Sequence, residues 1–214
     1  MKIINASYEI LTPVNGEQML KDIELIGRTC YKSENLITED SAKGFVGRLI
    51  KNGHEAMIEH NHITVKFICD RGVSHELVRH RLASFAQEST RYCNYSKDKF
   101  GNELTFINPC FESRGPLVKT DIEQYNTWYY HMKACEEAYL GLINSGMSPQ
   151  MARTVLPNSL KTEITMTMNL REWRHFFKLR CDKAAHPQMK ELTIPLLAEF
   201  KKLIPVVFDD IEVN

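Results

Sequence analysis

An arginine set among apolar residues is a hard constraint on any fold, and this chain has one at position 81. Residues 72–85 read as a helix. At roughly 100° per residue, Val73, Leu77, Val78, Leu82 and Phe85 fall within one half of the wheel. Arg79 lies on the opposite side with His75 and Glu76, as a solvated face requires. Arg81 falls inside the apolar arc, between Leu77 and Phe85. A buried unpaired charge costs on the order of several kcal/mol, so the fold must bring an anionic partner to it. Past Phe85 the periodicity stops, and Gln87, Ser89, Thr90 and Arg91 form a dense group of hydrogen-bond donors. Such a group suits a phosphate or another planar anion.

A second basic cluster lies at residues 170–180. Leu170, Trp173, Phe176 and Phe177 occupy an arc of roughly 120°, and Arg180 falls in its middle. Arg171 and His175, spaced i and i+4, share an adjacent face. Arg180 has two readings. It either snorkels out at the helix end, its stem covering Phe176, or is held in an apolar wall for a planar acceptor. Arg153 is a further candidate, although a lone helix arginine is usually solvated.

Between these clusters the periodicity alternates irregularly between helix and strand. Strands are expected at 2–11, from Ile63 through Phe67, at 104–108 and at 161–169, where Ile164, Met166 and Met168 alternate with threonines. Helices are expected with Met19, Leu20, Ile23 and Ile26 on one side, then at 38–52 with Gly53 as the cap, and at 120–145. Three more follow: 149–156 behind the Ser148-Pro149 cap, 170–180 behind Asn169, and a last one from Pro187, kinked around Pro195. The expected class is α+β: a single domain over 1–214, with a mixed or antiparallel sheet packed by several helices.

Composition narrows the function. Lys plus Arg and Asp plus Glu number 27 each, so no net field attracts nucleic acid and anion recognition must come from local clusters. The six cysteines, at 30, 69, 93, 110, 135 and 181, form no C-x-x-C pair, which argues against a zinc knuckle or a disulfide framework. Reduced thiols, no apolar leader and no membrane-length run point to the cytoplasm. There is no Gly-x-Gly-x-x-Gly, so a conventional dinucleotide fold is not expected.

Arg79-His80-Arg81, followed by Ser89, Arg91 and Tyr92, resembles the signature of the flavin-dependent thymidylate synthases. Asn169-Leu170-Arg171 with His175, Leu179 and Arg180 is similar to that family's C-terminal signature. Met151 to Pro157, and Gly53-His54-Glu55 with Glu59-His60, also match its pattern. The similarity runs from about Arg28 to Leu197. It implies a homotetramer with sites at subunit interfaces, FAD reduced by NADPH, methylenetetrahydrofolate as one-carbon donor, and conversion of dUMP to dTMP.

Carried over residue by residue, the resemblance assigns FAD contacts to Arg79, His80, Arg81, Gln87, Asn169, Leu170, Arg171 and His175. It assigns dUMP contacts to Glu76, Leu77, Val78, Arg79, Gln87, Glu88, Ser89, Thr90 and Arg91, to Arg153 from a neighbouring chain, and to Arg180. Arg180 would be the catalytic group, favouring the enolate-like uracil anion without a cysteine nucleophile. The chain departs from the family's common residues at Ala56, Glu76, Ala86, Gln87 and His175.

Two rival readings use other residues. A metal-dependent hydrolase would use His54, Glu59, His60 and His62, but Ile58 stands where H-E-x-x-H needs its second histidine. An RNA-binding module would use the arginine clusters, with Tyr92, Tyr95 and Trp173 stacking on bases.

Overall fold

The computed structural model describes residues 1–109 and 119–213, so Cys110 lies outside the described residues. In chain order the elements are β1 (Lys2–Ile4), β2 (Ser7–Ile10), α1 (Gly16–Thr29), α2 (Ser41–Lys51), β3 (His62–Asp70), α3 (Arg71–Leu77), β4 (Ser84–Gln87) and β5 (Thr105–Ile107). They continue with α4 (Lys119–Asn144), α5 (Pro149–Ala152), β6 (Lys161–Asn169), α6 (Leu170–Arg180) and α7 (Pro187–Leu203). Strand order is β2-β3-β6-β4 in a four-stranded sheet, while β1 pairs in parallel with β5. The class is α+β, as expected.

Local chemistry explains most boundaries. Along β6, Thr162, Ile164, Met166 and Met168 are buried and their neighbours half-buried, the period-two pattern of a strand. Asn169 then caps α6 directly, its side chain accepting from the Glu172 amide at 2.9 Å. Asp70 does the same for α3, accepting from Val73 at 2.7 Å. After α2, Gly53 takes a positive φ of 71°, and the Gly53 and His54 amides donate back to Ile50 and Leu49.

Two expectations fail. The helix over 72–85 stops at Leu77, and Ser84–Gln87 join the sheet instead. Ladder pairing there outweighs the helical periodicity, so Val78 and Leu82 are exposed, Leu82 to 75%. Arg81 is therefore solvent-exposed, and the basic residue taken into the interior is His80. The strand at 2–11 is two strands in different sheets. The break falls at Asn5 and Ala6, where Asn108 donates from its side chain to Asn5 and from its backbone to Ile4.

The chain gathers into two compact units, each assembled from separated stretches. The first contains Met1–Ser7, Phe67–Arg79 and Ala86–Ile164; the second contains Tyr8–Lys66, His80–Phe85 and Thr165–Asn214. In the first, Tyr95, Leu104, Phe106, Met132, Tyr139, Ala152 and Leu160 form a core. Glu136 serves that core by accepting from the Leu104 amide and pairing with the Met1 amine. In the second, Trp173, Phe176, Phe177, Phe200 and Phe208 build an aromatic cluster with edge and tilted contacts. Trp173 satisfies its indole N–H on the Ile63 carbonyl at 3.1 Å. Helix α1 packs closely in this unit: a Cβ on Gly16 would lie 1.8 Å from the Leu203 carbonyl oxygen.

Candidate active site

The second unit contains a cleft of about 810 Å³ lined by Glu55, Glu59, Leu82, Asn169, Arg171, Glu172, His175 and Lys178. Its size falls within the usual range for small-molecule sites, about 300–1,000 Å³. The cleft arises because β6 runs straight into α6. Asn169 sits at that junction, and Arg171, Glu172, His175 and Lys178 follow along α6, Lys178 in its last turn. The opposite residues come from the 3-10 turn Glu55–His60. Arg171 pairs with Glu59 at 2.5 Å and with Glu55 at 3.8 Å.

Below the cleft, Arg174 is buried and held by three partners. Its Nε donates to Glu55 at 2.9 Å, and its two terminal nitrogens donate to Asp210 at 2.6 and 2.7 Å. It also donates to the Val207 carbonyl. Burial opposes the charge of Arg174, and Asp210 and Glu55 more than offset it. Glu55 thus links the buried arginine to the cleft arginine.

His80 is 3% exposed and packs edge-on against Phe176, with ring centroids 4.9 Å apart. Arg180 donates from Nε to His80 Nε2 at 3.1 Å. Burial, with the positive fields of Arg180 and His175, lowers the His80 pKa to about 4, so the imidazole is neutral near pH 7. Its Nδ1 has no hydrogen-bond partner among the described residues; Glu172 Oε1 lies 3.6 Å away. Burial raises the Glu172 pKa. Of the two readings of Arg180, this geometry favours the held one: the residue is half-buried and tethered through Nε.

Of the remaining predicted residues, Arg81 and Leu170 belong to the second unit and the others to the first. Leu77 is fully buried there, and Leu170 in the second unit; the structure uses both as core residues. Val78, Arg79, Arg91 and Arg153 are exposed, while Glu76, Ser89 and Thr90 are half-buried. Gln87 donates its side-chain amide to Ser74 at 2.9 Å and to Thr162 at 3.3 Å, so that amide serves internal packing. Glu88 is likewise engaged, pairing with Lys161 at 3.0 Å and accepting from the Tyr95 hydroxyl at 2.9 Å. Arg91 places its guanidinium 5.4 Å from the Tyr92 ring centroid.

Sequence reasoning passed over Glu172, Arg174 and Lys178. The Glu-x-x-His spacing of Glu172 and His175 was a usable signal, since i and i+3 share a helix face. Nothing in the periodicity marked Arg174, whose counter-ion Asp210 lies 36 residues away.

The rivals fare differently from the cleft. His54, His60 and His62 are exposed, and Glu59 is committed to Arg171. Among the described residues, His80, Glu172 and His175 are the group whose donor atoms lie within 4.8 Å of one another, as a cation site needs. Arg180 works against that use. A histidine accepting at Nε2 carries its proton on Nδ1, the nitrogen that faces Glu172. RNA stacking loses two of its three aromatics, because Trp173 and Tyr95 are buried. Two of the cysteines are disfavoured as nucleophiles: Cys69 and Cys181 are buried, and burial pushes both thiols up. No helix among the described residues is long and apolar enough to cross a membrane.

The family profile described as thymidylate synthase complementing protein matches residues 14–206. A flavin-dependent thymidylate synthase of Geobacter sulfurreducens is 32% identical over 195 residues, covering 88% of this chain and 80% of the relative. One from Pyrococcus furiosus is 36% identical over 177 residues, 82% of this chain and 69% of the relative. The fold is similar to a crystal structure of the UMP/dUMP methylase PolB from Streptomyces cacaoi bound with 5-Br dUMP. That match has a TM-score of 0.80 at 21% identity and covers 98% of this chain and 96% of the other. The chain belongs to the flavin-dependent thymidylate synthase family.

Proposed function

We propose that this protein is a thymidylate synthase that methylates dUMP to dTMP reductively, with FAD as the bound flavin. NADPH would be the reductant and methylenetetrahydrofolate the one-carbon donor. The observation that carries the reading is the cleft on α6: Asn169, Arg171 and His175, expected as flavin contacts, line one pocket of about 810 Å³.

The donor set suits the cofactor. Arg171 and Lys178 supply cationic heads for a pyrophosphate, while the Asn169 amide and the His175 imidazole offer further hydrogen-bonding atoms. Glu55, Glu59 and Glu172 also face the cleft; buried Arg174 offsets Glu55, and a pyrophosphate would take Arg171 from its pair with Glu59. When bound, the flavin supplies hydride to the methylene group in transit. The chain's own part is placement and electrostatics. Arg180, fixed through Nε, is suited to stabilise negative charge on the uracil oxygen and so enrich carbon 5 in electron density. Ser89 and Arg91 are the proposed phosphate contacts; Glu76, Arg79 and Thr90 are proposed to hold dUMP elsewhere, Gln87 through atoms other than its engaged amide nitrogen, and Arg153 from a neighbouring chain of a homotetramer. Arg79 and Arg81 would also approach the flavin. Cytoplasmic location belongs to the same proposal.

The test is an absorbance titration of FAD-loaded protein with NADPH under anaerobic conditions, with and without dUMP, followed by product analysis with methylenetetrahydrofolate. Bleaching of bound flavin and formation of dTMP are expected. Failure to retain flavin at any concentration would overturn the reading.

A further inference from the structure

We infer that Glu172 and His80 form a positioning relay behind Arg180: the carboxylate orients the imidazole, and the imidazole fixes the plane of the guanidinium. The inference rests on the reading of Arg180 as the group that faces the substrate. It adds a role for Glu172, and makes His80 a support for Arg180.

The geometry is directional. Arg180 Nε–H donates to His80 Nε2 at 3.1 Å, so that nitrogen must carry the lone pair. The proton then sits on Nδ1, which has no hydrogen-bond partner among the described residues and faces Glu172 Oε1 at 3.6 Å. That separation is long for a hydrogen bond, but a carboxylate there still polarises the N–H and makes Nε2 a better acceptor. Phe176 packs edge-on against the ring and restricts its rotation. The electrostatics agree, because burial keeps His80 neutral; a protonated ring would present a donor to a donor at Nε2. Glu172 is itself fixed at the start of α6, where its amide donates to the Asn169 cap. An arginine held at Nε keeps its fork in one plane, and misplacing a catalytic group by about 1 Å can cost about a hundred-fold in rate.

The experiment is a double-mutant cycle read in kcat and in KM for dUMP, at saturating flavin, with flavin affinity measured separately. His80→Leu removes the acceptor, His80→Gln keeps a side-chain carbonyl within reach of the arginine, and Arg180→Ala removes the group positioned. Expected is a fall of about ten- to a hundred-fold in kcat for His80→Leu. KM should change little, and His80→Gln should recover most of the loss. In the Arg180→Ala background, His80→Leu should cost less than about threefold, because coupled residues are not additive. Multiplying losses, or a His80→Gln enzyme no better than His80→Leu, would overturn the relay. So would a His80→Leu defect that lies in flavin affinity and persists without Arg180. If Arg180→Ala turns over like the parent, the reading of Arg180 fails first and the relay falls with it. Should His80→Leu not fold, Glu172→Gln decides in its place: a kcat loss that vanishes in the Arg180→Ala background supports the relay, and one that persists refutes it.

Discussion

The buried imidazole of His80 gives the protein a specific acid sensitivity. Its folded pKa is lowered from an ordinary 6.5 to about 4. Above pH 6.5 the ring is neutral in both folded and unfolded chains and costs nothing. As the pH falls below 6.5 the unfolded chain takes up a proton that the folded chain refuses, so stability is lost until the folded ring also protonates near pH 4. At about 1.4 kcal/mol per unit of separation, the full loss is about 3 kcal/mol. The side chain is 2% exposed, so solvent screening removes little of it. Between pH 7.5 and 5 the loss is about 2 kcal/mol. Urea unfolding of the parent and of His80→Gln, at pH 7.5, 6 and 5, isolates this contribution, because the other titrating groups are common to both. Glu172, whose pKa is raised, works in the opposite direction in both proteins. The parent should lose about 2 kcal/mol more than the variant between the two extremes. Parallel losses, or a smaller loss in the parent, would refute a neutral buried His80.

The other expected outcomes are simpler. Gly16→Ala drives a methyl into the Leu203 carbonyl and should cost about 1–3 kcal/mol, seen as a lowered Tm. Arg174→Met strands the partly exposed carboxylates of Asp210 and Glu55 and the Val207 carbonyl, and should cost about 1–3 kcal/mol in urea unfolding. Asn169→Ala removes the α6 cap, at a cost of about 1 kcal/mol, and should also weaken flavin retention in equilibrium dialysis. Glu59→Gln releases Arg171 from its ion pair and should tighten flavin binding by up to about fivefold, measured by quenching of flavin fluorescence.

What could be read from the sequence was whatever depends on near neighbours. β6 and α6 fall where alternation and the Asn169 cap placed them, and Gly53 closes α2 as its position suggested. The stretch after Leu77 could not be read this way. Its helical stripe is real on paper, but β4 gains ladder partners from a strand far along the sequence. Arg81 was expected inside and lies outside; His80, not singled out for burial, is the interior base. For the candidate site, spacing put Arg171 and His175 on one face and Asn169 at the cap, the resemblance alone made them flavin contacts, and the three do share a cleft. Arg174 was invisible because its burial depends on Asp210 and Glu55, which no local pattern connects to it.

The discontinuous make-up of the second unit bears on how the chain is made. Glu59 and Arg171 are 112 residues apart, and Glu55 and Arg174 are 119 apart. A ribosome therefore delivers one wall of the cleft long before the other, and residues 8–66 wait for residues 165–214 to complete their unit, Ile63 for the Trp173 indole among them. Closure of such distant contacts is slow, and the waiting segment is open to aggregation. Silent changes that slow translation between residues 86 and 164 would lengthen that wait, lowering soluble yield without altering a single residue of the finished protein.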